Sequence, residues 1–243
     1  MQSDKLEHHH TAADIQNRLG TLHSQSYVRD LVYGGVDGAV TTFAVVSGVI
    51  GANLPPKVII ILGMANLIAD GFSMAASNYL GTTTESGLRK YYEAIEQKHI
   101  NIFPDGEREE IKQIFLNKGI HGETLDQVVN AVTSNRETWI NTMLTDEYGL
   151  PAEPKKPWLA ALSTYASFII CGFIPIFPFL IEPNKAFIPA AILTGGVFFA
   201  IGSLKARWSV HTWWLSGLNT LLIGGMAATI AFVIGLLFKS DYF

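Results

Sequence analysis

Asp37 and Asp70 are carboxylates set inside the first two long apolar runs of the chain, and Met74 follows Asp70 by one helical turn. A charged group at bilayer depth costs about 2.5–3.5 kcal/mol on insertion scales, so such a residue reads first as a functional site. Neither run contains a lysine or arginine. Each aspartate must therefore be protonated, hydrated or bound to a cation. A carboxyl that holds a metal ion in one state and a proton in another couples the movements of the two. The Met74 thioether contributes little to Mg²⁺ or Ca²⁺ but suits borderline transition metals. Methionine in an apolar helix is more often packing, and only its place beside Asp70 makes it a candidate. Asn66, Asp70, Met74 and Ser77 form a polar stripe at helical spacing, which reads as a lined pathway better than as interhelical glue. In the first run Asp30, Asp37 and Thr41 fall at i, i+7 and i+11 on one face.

A second group of candidates lies in the polar middle of the chain, where 13 of the 21 acidic residues fall between Thr82 and Lys156. Glu93 and Glu96 are i,i+3, Glu107 and Glu110 likewise, and Met143 and Glu147 are i,i+4. Carboxylates at that spacing repel one another unless a cation bridges them. The residues alone leave two readings open: a solvated acidic surface, or a cluster that collects divalent metal. Glu137 is set aside, because Ser134-Asn135-Arg136-Glu137 reads as a capping box that occupies it structurally. Glu96-Gln97-Lys98-His99 has the Glu-x-x-His spacing of a di-metal carboxylate site, but it occurs singly.

The elements that must carry these side chains are helices. Five runs are apolar enough to cross a hydrocarbon core, which takes about 20 residues: Leu31–Leu54, Val58–Leu80, Trp158–Ile181, Phe187–Leu204 and Trp213–Phe238. The expected fold is an all-α membrane protein, five transmembrane helices with a cytoplasmic helical metal-binding domain inserted between helices 2 and 3. Its divisions are a mobile tail (1–26), helices 1 and 2 (27–81), the inserted domain (82–156) and helices 3 to 5 (157–243). Pro175 and Pro178 should bend the third span near its far end. Gly34 and Gly38 let a second helix approach closely, and with an odd number of spans this favours a homodimer. With the N-terminus in the cytoplasm, 14 of the 17 lysines and arginines lie on that side, which places the C-terminus outside.

The 243 residues carry a formal charge of −4 and a single cysteine, Cys171. A disulfide framework and a thiolate cluster are excluded, and nothing resembles a nucleic-acid surface. His8-His9-His10 in the tail reads as solvated, and no cleavable signal peptide is evident.

Asp37-Gly38-Ala39-Val40-Thr41-Thr42-Phe43-Ala44-Val45-Val46 and Ala69-Asp70-Gly71-Phe72-Ser73-Met74-Ala75-Ala76 resemble the first two membrane helices of the vacuolar iron transporter family. The resemblance covers about residues 28–238. It implies a homodimeric, proton-coupled secondary transporter and not an enzyme, moving Fe²⁺ (or Mn²⁺, Zn²⁺, Co²⁺) out of the cytosol in exchange for protons, without a prosthetic group. It also implies that a cytoplasmic domain gathers the ions. Asp37 matches the family's embedded aspartate and Met74 its methionine. Glu93, Glu96, Glu107 and Glu110 match its paired glutamates, and Met143 and Glu147 its last metal-binding helix. Asn66 stands where some members carry a glutamate, so Asp70 is the replacement carboxylate. Asn78-Tyr79 replaces a frequent Glu-Tyr, and the interval between the glutamate pairs is longer than in plant members. The membrane is expected to be a bacterial plasma membrane, or otherwise a vacuolar one. The rival expectations are a membrane-anchored ferroxidase-like di-metal enzyme and an uncoupled metal channel.

Overall fold

The computed structural model describes residues 11–21, 26–208, 210 and 212–239. All regular structure among them is helical. The His8-His9-His10 tract lies outside the described residues. Part of the expected tail is ordered as a helix, α1 (Ala12–Thr21), started by Thr11, whose Oγ1 accepts from the Asp14 amide at 3.2 Å.

The described chain divides into two compact units. The apolar unit comprises Tyr27–Gly81 and Lys156–Phe243. Its helices are α2 (Val28–Gly51), the first half of α3 (Pro56–Ile102), α7 (Pro157–Phe173), α8 (Phe177–Ile181), α9 (Phe187–Lys205) and α10 (Trp213–Leu237). Four of them, α2, α3, α9 with its short 3-10 extension, and α10, are long and apolar enough to cross a membrane. Ile68, Phe72, Ile188, Ile192, Leu222 and Ile230 are each more than half exposed. In water that surface would be an outsized apolar patch, whereas hydrocarbon is its natural solvent. The chain is a helical membrane protein.

The third expected span, Trp158–Ile181, is interrupted. α7 stops at Phe173, residues 174–176 form a turn, and α8 resumes at Phe177. Pro175 has no amide hydrogen and its ring crowds the carbonyl one turn back, so the helix breaks where only a bend was expected. Pro178 then fits the first turn of α8, where a missing donor costs nothing.

α2 is the centre of this unit, with 50% of its apolar window buried against 17% in α10. Glycines make that possible. A Cβ on Gly34 would strike the Thr164 carbonyl, and one on Gly38 the Phe168 carbonyl, both on α7. At the other end Gly51 and Gly235 let α2 and α10 meet backbone to backbone. The notch at Gly34 and Gly38 is thus filled by α7 of the same chain and is not left open to a second copy.

The acidic unit uses Thr82–Lys155: the second half of α3, then α4 (Pro104–Asn117), α5 (Gly122–Thr133) and α6 (Arg136–Asp146). α3 is continuous over 47 residues because no proline interrupts it. It ends at Ile102, since the residue before Pro104 is driven out of the helical region; Phe103 has φ −140° and ψ 63°. Ile100, Ile111, Leu125, Val129, Trp139, Ile140, Met143 and Leu144 close one apolar core among the four helices. The cap of α6 differs by one residue from expectation. Asn135, not Ser134, accepts the Thr138 amide at 3.0 Å, while Ser134 Oγ donates back to the Ala131 carbonyl at 2.7 Å.

Candidate metal centre

In the acidic unit the inward face of α3 is marked by Tyr92 and Ile100, both in the apolar core. Glu96 lies one turn from each and is 1% exposed. α4 packs beside it through Ile111, which brings Glu107, one turn earlier, to 4% exposure at the same place. His99 Nδ1 stands 3.4 Å from Glu107 Oε1. Tyr148, just beyond α6, donates its hydroxyl to Glu96 Oε1 at 2.8 Å, and its ring packs on Tyr92 with centroids 4.2 Å apart. The donor atoms of Glu96, His99 and Glu107 lie within 4.8 Å of one another, and so do those of Glu96, Glu110 and Glu147. The two sets share Glu96.

Glu96 Oε2 and Glu107 Oε2 are fully buried and have no hydrogen-bond partner. Two adjacent ionised carboxylates cannot satisfy each other, and a buried unsatisfied oxygen costs about 1–3 kcal/mol. One shared proton resolves the conflict, and so does a cation. Burial, the hydrogen bond to Glu96 that a proton on Glu107 would make, and the charges of Glu110, Glu96 and Glu147 push the Glu107 carboxyl up to about 8. Partial burial, then Glu110 and Glu96, raise Glu147 as well, with Tyr148 and His99 opposing. Burial, then Glu96 and Glu147, push the Tyr148 hydroxyl upward, which keeps it a donor. The cluster holds protons that a divalent ion can replace.

Of the six residues expected here, Glu96, Glu107, Glu110 and Glu147 converge. Glu93 does not join them: it lines a separate cavity with Arg89, Arg136 and Asn141, and accepts from Gln97 Nε2 at 3.4 Å. His99 takes the place assigned to it, which shortens the interval between the two pairs by one turn. Met143 is fully buried in the apolar core. Tyr148 was missed, although an aromatic hydroxyl directly after Glu147 is visible in the chain.

In the apolar unit, α2 and α3 are antiparallel and meet along matched polar positions. Asn66 Nδ2 donates to Thr41 Oγ1 at 3.3 Å, and Thr41 Oγ1 donates to the Asp37 carbonyl at 2.8 Å. One turn further along α3, Asp70 is close enough for its charge to act on Asp37. Met74, half-buried, comes next. Asn78 ends the series, donating to Asp30 Oδ1 at 3.0 Å and to Thr164 Oγ1 at 2.7 Å. Residues 66, 70, 74 and 78 therefore run down one edge of α3, with Thr41, Asp37 and Asp30 facing three of them. No lysine or arginine is paired with Asp37 or Asp70 among the described residues. The Asp30–Asn78–Thr164 node was not expected.

A family model described as the VIT family matches residues 28–236. The chain belongs to the VIT family. The match to "Vacuolar iron transporter" of Centaurea cyanus is 30% identical over 229 residues, 93% of this chain and 89% of that protein. "Vacuolar iron transporter 2" of Oryza sativa subsp. japonica is 28% identical over 232 residues, 94% and 89% of the two chains. "Vacuolar iron transporter" of Plasmodium berghei (strain Anka) is 25% identical over 252 residues, 99% and 92%. Within this VIT chain, the polar edge of α2 and α3 and the Glu96 cluster are the two places where chemistry is concentrated.

Proposed function

We propose that this VIT-family chain is a secondary transporter that moves Fe²⁺, and other divalent transition metals such as Mn²⁺, Zn²⁺ or Co²⁺, out of the cytosol in exchange for protons. The observation that carries the reading is the nearness of Asp37 and Asp70 inside an apolar unit, with no cationic side chain paired with either among the described residues. Two neighbouring carboxyls without a counter-charge are suited to take one divalent ion or protons. Thr41, Asn66 and Met74 extend the same edge with two oxygen donors and a thioether, a set suited to borderline metals. The names of the relatives supply iron as the cargo.

In this reading the Glu96 cluster collects metal on the cytoplasmic side, where the lysine and arginine distribution puts it. The interrupted segment formed by α7 and α8 counts as the fifth crossing, so the N-terminus is inside and the C-terminus outside. The membrane is a plasma or vacuolar one. A homodimer belongs to the reading through the family resemblance alone.

The test is Fe²⁺ flux into proteoliposomes holding the full-length protein, with an imposed pH gradient and a pH indicator inside. Metal and proton movements should stop together in Asp37→Ala. Metal movement indifferent to the gradient would replace antiport by a channel, and unchanged flux in Asp37→Ala would remove that residue's role.

One observation favours a second reading. Glu96 is common to two donor sets, as a bridging carboxylate is in di-metal oxidases. Oxygen consumption by the full-length protein on Fe²⁺ addition would support that enzyme; its absence leaves the transporter.

A further inference from the structure

The two donor sets that meet at Glu96 differ chemically. Glu110 and Glu147 complete one of them with oxygen alone, whereas His99 brings a nitrogen to the other. We propose that His99 is a metal ligand and sets the preference of the Glu96–His99–Glu107 site for Fe²⁺, Co²⁺ and Zn²⁺ over Mn²⁺. This deepens the collecting role assigned above and rests on it.

The bland alternative is an ion pair between His99 and Glu107. Charge-assisted hydrogen bonds of that kind close to about 2.7–2.9 Å. The separation found is 3.4 Å. Two ligands each about 2.0–2.2 Å from one ion, at octahedral to tetrahedral angles, stand about 2.8–3.6 Å apart, and the observed spacing falls in that range. An ion pair at Glu107 Oε1 would also leave Glu96 Oε2 and Glu107 Oε2 as they are, buried and unpartnered. A cation held by His99 satisfies both when the proton that Glu96 and Glu107 otherwise share has left. The His99 side chain is 52% exposed, so it can take an ion from solvent while the two glutamates behind it are shielded.

Preference follows from the donor. Imidazole binds later first-row metals better than a carboxylate does, and Mn²⁺ is the weakest of the divalent series at nitrogen. The all-oxygen set discriminates less. A histidine here therefore turns a general divalent collector into a site graded along the transition series.

The experiment uses the full-length protein in detergent, with Glu110→Gln and Glu147→Gln present to silence the oxygen-only set. Zn²⁺ and Mn²⁺ affinities are measured by competition with a chromophoric chelator, before and after His99→Glu and His99→Ala. The Zn²⁺-to-Mn²⁺ affinity ratio should fall on the order of ten-fold in His99→Glu while Mn²⁺ binding is kept, and His99→Ala should weaken Zn²⁺ more than Mn²⁺. An unchanged ratio, or a parallel loss of both metals, would mean a structural histidine and overturn the proposal. Metal binding with an unchanged ratio leaves the collecting role standing; no divalent binding even with the Glu110 and Glu147 carboxylates restored ends both.

Discussion

The Tyr148 hydroxyl donates to Glu96 Oε1 at 2.8 Å and leaves Oε2 buried and unpartnered. A tyrosine in that role aims the carboxylate without binding metal itself. Partners that orient a ligand in this way affect affinity by about 10- to 100-fold. Tyr148→Phe keeps the ring contact with Tyr92 and removes only the donor. It should weaken divalent binding by about ten-fold, read by chelator competition, and destabilise the metal-free protein by about 1–3 kcal/mol through the second orphaned oxygen. A variant with wild-type affinity would show that Glu96 is aimed by packing alone.

Glu107, pushed up to about 8, fixes the sign of a pH effect. Between its ordinary value of 4.5 and about 8 the folded protein binds more protons than the unfolded chain, so this group's contribution to stability is present at low pH and lost as pH rises through the window. Glu147, also raised, acts in the same direction. A bound divalent ion replaces the missing protons. The apparent melting temperature of the metal-free protein should fall from pH 6 to pH 8.5, and the increment from added Zn²⁺ should grow over the same range. Glu107→Gln should flatten the first dependence and shrink the second. Equal metal increments at both pH values would contradict the shared-proton account of the cluster.

Packing of α2 gives a prediction about folding. Gly38 has no room for a side chain, because its Cβ would enter the Phe168 backbone, and Gly172 answers it from α7 against the Gly38 carbonyl. Backbone cannot move aside as a flexible side chain can. Gly38→Ala should cost about 1–3 kcal/mol through overpacking and reduce the yield of monodisperse protein. Gly81→Ala, where a Cβ meets nothing within 4 Å on the same α3 helix that carries Asp70, is the matched control and should be neutral or mildly stabilising. Equal behaviour of the two variants would remove the close approach of α2 and α7 as the constraint.

The helices were legible because their signal is long: four of the apolar runs are 19 residues or more in the structure, and α3 runs on without a break into the acidic unit. Where a break replaced a bend, at Pro175, the sequence marked the place but not the angle. Partners were harder. The Gly34 and Gly38 notch was evident, yet α7 and a second copy of the chain are equally good occupants until the fold is known. Glu93 and Glu96, or Glu96 and His99, are both i,i+3 pairs, and spacing does not choose between them. Tyr92 and Ile100, whose apolar side chains mark the inward face, single out Glu96 between them, but Glu93 and His99 each lie about 60° from it on opposite sides, so the face alone does not choose either. Glu96-Gln97-Lys98-His99 is a single Glu-x-x-His in the sequence, and the carboxylate that approaches His99, Glu107, comes from α4, which the spacing within α3 does not reveal.

Asp37 and Asp70 face each other closely enough for one charge to act on the other, and neither has a basic partner among the described residues. If both hold the same ion, their losses cannot add. Asp37→Asn leaves Asp70 as a lone carboxyl, too weakly charged to strip water from a divalent ion, and Asp70→Asn does the same to Asp37. Each single variant should lower the initial rate of Fe²⁺ entry into proteoliposomes by about a hundred-fold, roughly 2.7 kcal/mol of barrier. The double variant should be no worse than the poorer single one, a coupling of similar size between the two sites. Proton movement should fall with metal movement in all three. A fully additive double variant would mean that the two carboxylates act at separate steps, with Asp70 serving a different ion or only the packing of α3.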